Sequence, residues 1–177
     1  MSEEKMERWR YPRFFTENIS DTSAVLNAED SRHVAQVLRM RPGDIAVICD
    51  GKGTDYLGEL ESAAGECVFN IIESSPNEAE PAVRLRLFQA MPKGDKMDFI
   101  VQKAVECGAC EIIPFISKRC VSRPDGKQLA KKTERWQRIA YEAAKQCGRG
   151  AIPRVGDPVQ FADIPGMRTQ DGTGILF

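Results

Sequence analysis

The sequence has little of the chemistry on which several enzyme classes depend. It contains one histidine, His33, among 177 residues, and no orienting partner for it can be identified, so Ser-His-Asp and Cys-His hydrolytic sites are disfavoured. The glycine pairs GRG and GTG lack the strand–GxGxxG–helix context of an ordinary dinucleotide fold. The stretch GKGT at 51–54 lacks the preceding glycine and the following helix of a phosphate-binding P-loop, and we interpret it as a hairpin turn.

Long apolar runs are also missing. No stretch approaches the roughly 20 apolar residues of a membrane-spanning helix, and MSEEKMERWRYPRFF lacks the apolar centre of a signal peptide. A cytoplasmic location is therefore expected, and the six cysteines are expected to be reduced thiols.

The residues Cys107 and Cys110 form an isolated CxxC. A structural zinc site needs two further ligands, and neither the single histidine nor the other cysteines supply them at a suitable spacing. We expect packing cysteines and no metal site, with a thiol or metal protein as the weaker alternative.

The charged residues are distributed unevenly. The formal net charge is −1, but residues 1–81 carry 8 basic and 16 acidic side chains, whereas residues 117–154 carry 11 basic and 3 acidic ones. This asymmetry predicts one face for a polyanion, with the acidic half kept away from it. The alternative is a lysine-rich, solvated helix without a partner.

The first part of the chain has the pattern of a small β-barrel with one helix. A helical pattern begins at 29 and is stopped by Pro42-Gly43-Asp44. IAVICD, DYLGEL and CVFNII are strand-length runs separated by turn-like segments. The apolar face of the predicted helix contains Val34, Val37 and Leu38. We predict a barrel domain over 1–74 and an interdomain linker over 75–81, because the residues around the linker are polar, aperiodic and interrupted by prolines.

Residues 82–177 change to an alternating pattern of strands and helices. VRLRLFQAM and EIIPFI are typical of strands, and the segments 94–108 and 127–148 are typical of amphipathic helices. GILF, at 174–177, has the pattern of a third, buried strand. The order strand, helix, strand, helix, strand predicts an α/β domain with a mainly parallel sheet.

Particular residues of these two helices have expected structural roles. Asp95 is expected to cap the first helix, and Gly108 and Gly148 are expected to end the two helices in the left-handed conformation. Trp136 lies on the apolar stripe of the second helix, so we expect it to pack in the core, with stacking on a base as the alternative.

Cations concentrate on one face of the second helix and at one end of the predicted sheet. Lys127, Lys131 and Arg135 succeed one another at intervals of four, so they share a face away from the apolar stripe. Arg119 and Arg123 follow the strand EIIPFI, and ligands of α/β sheets gather outside the carboxyl ends of the strands. The basic face and the predicted ligand edge therefore coincide.

Arg119, Gln146 and Arg149 are candidates for contact with a nucleic acid. Arginine matches the geometry of phosphate and stays charged, and a glutamine beside a helix terminus can contact the edge of a base. The alternative is a helix end that carries cations because the helix macrodipole favours them there.

These residues occur within motifs that resemble one known family. YPRFF, HVAQVLRMRPGD and CDG resemble the N-terminal domain of the ribosomal RNA small subunit methyltransferase E family. MPKGDKMDFIVQKAVECGACEIIPFISKRC and RWQRIAYEAAKQCGRGAIPRV resemble the start of its catalytic domain. The resemblance runs through nearly the whole chain in order, and the last two stretches are specific to the family.

The resemblance implies a fold and a function. It implies an α/β plus small β-barrel protein, with a PUA-like RNA-binding barrel followed by the N-terminal part of a SPOUT domain, an α/β fold with a C-terminal knot. It also implies methylation of N3 of a uridine in small-subunit (16S) ribosomal RNA, with S-adenosylmethionine as cofactor, by a homodimer that contributes to ribosome biogenesis. The family continues past the strand matching GILF with the knot and the cofactor loops, so cofactor-binding residues are expected beyond Phe177 and the chain is expected to be truncated. A non-catalytic RNA-binding fragment is the alternative function.

The resemblance also implies roles for individual residues. The residues implied to line or support the catalytic cleft are Lys93, Lys96, Glu106, Arg119, Gln146 and Arg149. Because N3 must lose its proton and the resulting anion must be stabilised, we expect Arg149 beside a uridine carbonyl oxygen, Gln146 orienting the base, and Glu106 or Glu142 accepting the proton. The residues expected to bind RNA are Arg13, His33, Arg39, Lys93, Lys96, Arg119, Arg123, Lys127, Lys131 and Arg135.

Overall fold

The computed structural model describes residues 10–118, 120, 126–169 and 171–176. The chain divides into two compact units, of which the first contains Met1–Ala82 and Ala144–Ile152 and the second contains Val83–Ala143 and Pro153–Phe177. The domain bounds expected from the sequence, 1–74, 75–81 and 82–177, stay a prediction. None of the helices in the described ranges has the length and apolar character that crossing a membrane requires.

The first unit is built on one five-stranded sheet. Its strands are β1 (Arg13–Phe15), β2 (Ser23–Val25), β3 (Ile45–Cys49), β4 (Thr54–Ser62) and β5 (Val68–Pro76). The spatial order is β1-β3-β4-β5-β2, with β1 parallel to β3 and every other neighbouring pair antiparallel. The three strands expected after the helix are thus present, and the β3–β4 register places Cys49 opposite Asp55.

Apolar residues of these strands, of the helix and of adjoining loops form the core of the first unit. The core cluster includes Phe14, Ala24, Leu26, Val34, Ala46, Ile48, Leu60, Cys67 and Phe69. A Cβ atom at Gly58 would lie 3.0 Å from Phe69 Cβ, so a larger residue there would push the phenylalanine aside by a few tenths of an ångström. Burial of each large apolar side chain contributes about 1.5–3 kcal/mol to folding.

The helix of the first unit changes its geometry halfway. It begins as helix α1 (Ala28–Arg32), whose cap residue Asn27 accepts from the N–H groups of Glu29 and Asp30, and it continues as a π-helical turn (His33–Leu38). The wider turn shifts residues away from the 3.6-residue spacing, so the expected apolar face is wrong beyond its first member. Val34 is fully buried, but Val37 and Leu38 are 66% and 40% exposed.

Strand β5 extends into the segment expected to be irregular. Ser75 and Pro76 pair with Asp55 and Thr54 of β4, and the N–H of Asn77 donates to the carbonyl of Gly53 at 2.7 Å. The sequence pattern did not predict this part of the strand, because an exposed strand face can consist of polar residues.

The second unit has a parallel sheet with two long helices. Its elements are β6 (Leu85–Ala90), α2 (Lys96–Glu106), β7 (Ala109–Ile116), α3 (Gly126–Gln146, of which the last three residues group with the first unit), β8 (Arg154–Val155) and β9 (Val159–Gln160). Strands β6, β8 and β9 all pair with β7 in parallel. The predicted α/β order is confirmed, and a short 3-10 helix (Phe161–Met167) follows β9.

The third strand of this sheet is not the one expected. The second edge of β7 is occupied by β8 and β9, whereas residues 172–176 form no strand, and Ile175 and Leu176 are 75% and 87% exposed. The strand prediction for GILF is therefore wrong over 174–176, which pair with none of the described strands.

The expected helix ends are confirmed in part. Gly108 and Gly148 have positive φ angles of 91° and 76°, as a left-handed helix end requires. Asp95 occupies the N-cap position of helix α2 but makes no side-chain cap hydrogen bond, so that prediction is confirmed in position only. Trp136 is 3% exposed, and its indole N–H donates to Asp98 at 3.1 Å, which confirms its expected place in the core.

Candidate functional site

Arg13, expected to face RNA, is held inside the first unit. Its guanidinium donates to both carboxylate oxygens of Asp55, at 2.7 and 2.9 Å, and to Cys49 Sγ at 2.7 Å. Burial alone would lower the pKa of Arg13, but the hydrogen bonds and charges of Asp55 and Cys49 raise it overall. Burial raises the pKa of the Cys49 thiol strongly, so this sulfur stays protonated and is no nucleophile.

Asn77 connects this buried ion pair to the loop that follows helix α3. Its side-chain amide donates to Asp55 at 2.9 Å and to the carbonyl oxygen of Gly148 at 3.0 Å. A Cβ atom at Gly150 would lie 2.5 Å from Asn77 Cβ, closer than real Cβ atoms approach. The loop therefore runs directly against Asn77, and only glycine permits this approach.

Glu80 holds the next part of the same loop. Its carboxylate accepts two hydrogen bonds from Arg149, at 3.1 and 2.7 Å, and one from the N–H of Ala151 at 3.0 Å. Burial alone would raise the pKa of the Glu80 carboxyl, but the bonds from Arg149 and Ala151 and the arginine charge outweigh it and lower the pKa. We call Asn77 and Glu80, with their bonds to residues 148–151, the loop anchor.

Lys145 fixes the chain just before this loop. Its ammonium group donates to Asp30 at 2.9 Å and lies 5.1 Å from the centre of the Phe14 ring. Sequence reasoning missed Lys145, Asn77 and Glu80. No local signal distinguished Asn77 and Glu80, because polar residues are also typical of an unstructured linker.

Arg149, expected beside the uridine, is therefore engaged internally. Its side chain is 4% exposed and bound by Glu80, so contact with a base requires these bonds to open. By contrast, Glu142 and Gln146 are exposed and lie four residues apart on helix α3, which places them on one helix face. The catalytic roles of all three stay predictions.

His33 and Arg39 occupy the exposed π-helical turn of the first unit. The His33 ring meets Phe14 edge to face, with centroids 6.4 Å apart. Arg39 has φ 54°, and among the described residues it is the one non-glycine residue with positive φ. Both side chains are thus presented at the surface, as an RNA contact would need.

Three candidates lie around helix α2 of the second unit. Lys93 and Lys96 are exposed at its start. Glu106 is exposed at its end and pairs with Lys103 at 2.6 Å and Gln102 at 3.0 Å. The hydrogen bond from Lys103 is the main cause that lowers the pKa of Glu106, and a lowered pKa makes a carboxylate a weaker proton acceptor.

The three cations of the predicted basic face of helix α3 have different surroundings. Lys127 and Lys131 are exposed, whereas Arg135 forms an ion pair with Asp98 of helix α2. Arg119 and Arg123 lie outside the described residues.

The cysteine prediction fails at one position. Cys107 is exposed and Cys110 is half-buried, so Cys107 does not pack in the core. The residues described here contain no group of three or more metal-ligating side chains. Across the same residues, Thr133 Oγ1 is the one buried side-chain oxygen or nitrogen without a hydrogen-bond partner.

Comparison with known proteins gives two matches to RNA methyltransferase domain families. Residues 26–72 match a family described as RNA methyltransferase PUA domain, and residues 79–176 match one described as RNA methyltransferase domain. The predicted fold class, a PUA-like barrel followed by an α/β methyltransferase domain, is confirmed.

Individual relatives agree with these matches. Ribosomal RNA small subunit methyltransferase E of Bacillus subtilis is 37% identical over 147 residues, which are 82% of this chain and 57% of that protein. The Synechocystis protein of the same name is 30% identical over 84% of this chain and 47% of its own length. The chain thus spans about half the length of the curated relatives it matches.

A solved structure resembles the present one closely. It is the Neisseria gonorrhoeae ribosomal RNA small subunit methyltransferase E, crystallised with S-adenosylmethionine. The two structures superpose with a TM-score of 0.82 at 32% sequence identity, over 90% of this chain and 67% of the other.

Proposed function

The chain belongs to the ribosomal RNA small subunit methyltransferase E family, and on that premise we propose that the protein methylates N3 of a uridine in small-subunit (16S) ribosomal RNA. The observation that carries the proposal is the match of residues 79–176 to an RNA methyltransferase domain, directly after a PUA match at 26–72. We further propose that it acts in the cytoplasm, as a homodimer.

The chemistry requires a base that is held and deprotonated. N3 of uridine carries a proton and is a poor nucleophile until that proton leaves, so an enzyme must accept the proton and stabilise the resulting anion. Gln146 is proposed to orient the base edge. Glu142 is the preferred proton acceptor, because the pKa of the alternative, Glu106, is lowered by Lys103.

Arg149 is proposed to stabilise the anion at a uridine carbonyl oxygen. For that role its guanidinium must exchange the Glu80 carboxylate for the base. Such an exchange replaces one negative partner by another, which avoids the high cost of a buried, unpaired charge. Arg149 would then contact the base only as the anion forms.

S-adenosylmethionine is the proposed methyl donor, as the cofactor bound by the Neisseria gonorrhoeae relative, and it supplies an activated methyl group. No residue of the described ranges is assigned to cofactor binding.

The exposed lysines are proposed to bind the phosphate backbone. Lys93, Lys96, Lys127 and Lys131 extend into solvent, and each phosphate neutralised releases counterions, so affinity falls with salt at about 0.7–0.9 log units per contact. Replacing Lys127 and Lys131 with alanine is expected to lower the salt slope by about 1.4–1.8. An unchanged slope would remove this helix face from the RNA contact.

The activity is tested by incubating the chain with small-subunit ribosomal RNA and S-adenosylmethionine carrying a labelled methyl group. Nucleoside mass spectrometry is expected to find labelled N3-methyluridine, and Gln146→Ala is expected to lower the yield at least tenfold. Asn70→Ala, which removes an exposed amide elsewhere in the same unit, is the matched control. Label on another atom or another nucleoside would contradict the proposal.

A second candidate is an RNA-binding protein that transfers no methyl group. It is supported by the match of residues 26–72 to a PUA domain and by the exposed Lys127 and Lys131. Salt-dependent RNA binding together with no heat of S-adenosylmethionine binding in a calorimetric titration would support it. Micromolar cofactor binding would instead favour the enzyme.

A further inference from the structure

Two aliphatic side chains stand in solvent at the π-helical turn of the first unit. Val37 is 66% exposed and Leu38 is 40% exposed, although their sequence spacing predicts a buried helix face. π-Helical turns are rare in proteins overall, but those that occur are often found at functional sites. Departures from local sequence rules also concentrate at such sites.

The exposed position of these side chains is built into the fold. Val34, at the other side of the turn, is fully buried in the core, and its carbonyl oxygen accepts from the N–H of Met40 at 3.1 Å. The N–H of Arg41 donates to Asp44 at 2.7 Å. The turn is thus tied on both sides of Val37 and Leu38, and it holds them outward.

The charges around this turn identify the kind of partner. Residues 1–81 are acidic as a whole, but residues 31–41 contain three arginines and no carboxylate. Arg39 and Arg41 are exposed beside the aliphatic pair. A surface that combines apolar and guanidinium groups fits an unpaired nucleic-acid segment, which offers phosphates together with exposed base faces.

We propose that Val37 and Leu38 form an apolar wedge that packs against unstacked bases of the RNA, while Arg39 and Arg41 bind the flanking phosphates. The inference rests on the proposed function and deepens it, because N3 of uridine lies on the Watson–Crick edge and reacts only when the base is unpaired. Enzymes that modify a base take it out of the stack, and aliphatic side chains serve as wedges between bases in other nucleic-acid-binding proteins.

Fluorescence anisotropy with two RNA probes tests the wedge. One probe is a hairpin with an unpaired, uridine-containing loop, and the other is a fully paired duplex of the same composition. The double variant Val37→Ser/Leu38→Ser is expected to bind the loop RNA about tenfold more weakly, since apolar burial is lost, and to bind the duplex within twofold of the unsubstituted chain. The matched control is Ile72→Ser, because Ile72 is a 54% exposed aliphatic residue of the same unit; it is expected to change neither affinity.

The salt dependence separates the wedge from the arginines. The serine double variant is expected to keep the salt slope, whereas Arg41→Ala is expected to lower it by about 0.7–0.9. A 2-aminopurine placed in the loop gives a second measurement: its fluorescence is expected to rise on binding to the unsubstituted chain and not to the double variant. Circular dichroism melts of each variant check that the fold is retained.

Several outcomes would overturn the wedge. The double variant could lose equal affinity for the loop RNA and the duplex, or lose affinity for neither. Ile72→Ser could lose as much affinity for the loop RNA as the double variant, or the 2-aminopurine fluorescence could still rise on binding to the double variant. If the unsubstituted chain binds neither RNA at any salt concentration, the proposed function itself fails together with the wedge. If it binds both RNAs and the double variant behaves identically, only the wedge fails.

Discussion

Arg149 and Arg39 belong to the same compact unit, and both are expected from the sequence to contact RNA, yet the structure gives them opposite surroundings. The side chain of Arg149 is 4% exposed and carries a carboxylate partner, Glu80. Arg39 is exposed and ends a π-helical turn in the left-handed conformation. Residue type and motif position therefore identify an arginine as a candidate for RNA contact. Whether its guanidinium is available to RNA depends on whether the fold places a carboxylate beside it.

The difference has an energetic cause. A buried guanidinium needs a partner, because an unpaired buried charge costs several kcal/mol. The loop anchor supplies that partner, and it simultaneously fixes Gly148 and Ala151. Arg39 is solvated and needs no partner, so its turn can present it to an external anion. We interpret the loop anchor as internal support and the π-helical turn as the presenting surface.

The largest expected effect on stability follows from removing the carboxylate of the loop anchor. Glu80→Ala leaves Arg149 buried without its charge partner, so the free energy of unfolding is expected to fall by about 3 kcal/mol. Urea denaturation followed by circular dichroism measures this. Glu66→Ala, which removes an exposed carboxylate of the same unit, is the control and is expected to change stability by less than about 0.5 kcal/mol.

A loss of less than about 1 kcal/mol in Glu80→Ala would show that Arg149 reaches solvent easily. The distinction between the two arginines would then disappear, and Arg149 would be as available to RNA as Arg39.

The close approach at Gly150 gives the next largest effect. Gly150→Ala places a Cβ atom 2.5 Å from Asn77 Cβ, so the loop must move and stability is expected to fall by about 2 kcal/mol. Gly126→Ala is the matched control, because a Cβ there meets nothing within 4 Å; it is expected to be neutral or slightly stabilising. Chemical denaturation of the two variants compares them, and equal stabilities would contradict the tight loop packing.

The pH dependence of stability tests the same anchor with a smaller effect. The pKa of Glu80 is lowered in the folded protein from an ordinary value of 4.5, so its contribution is fully present above that value. It is lost as pH falls through the lower, folded value, because the carboxylate takes up a proton and releases Arg149.

Denaturation series at pH values from 6 down to 3 measure this loss. Glu80→Gln is expected to lose less stability over the acidic range than the unsubstituted chain. If the free energy of unfolding fell equally with pH in both proteins, the carboxyl of Glu80 would not have a lowered pKa in the folded state.

Much of the fold could be predicted from the sequence, but less of the candidate site. Alternation and turn residues predicted β3, β4 and β5, and helical periodicity predicted α2 and α3, because these signals are local. The failures depend on distant partners. GILF had a strand pattern, but residues 174–176 form no strand, because a strand also needs a partner strand that its own residues do not reveal.

The candidate site was harder because its geometry depends on pairs distant in sequence. Glu80 and Arg149 are 69 residues apart, and Asn77 and Gly148 are 71 apart. Single-sequence patterns reveal residue types, and the motif resemblance identified Arg149, but neither shows a contact over that separation. Val37 failed for a different reason: the switch to a π-helical turn changes the spacing on which the helix prediction rests.

The smallest expected effect on stability is at Arg39, the exposed arginine. Arg39→Asn is expected to leave the free energy of unfolding within about 0.5 kcal/mol, because asparagine tolerates the left-handed conformation at this position. The same variant is expected to lower the salt slope of RNA binding by about 0.7–0.9, since one phosphate contact is lost. Titrations at several salt concentrations, with the denaturation curve of the same preparation, measure both. An arginine that supports the fold would give the opposite result, with lost stability and an unchanged slope, so this variant separates a presenting role from the internal role assigned to Arg149.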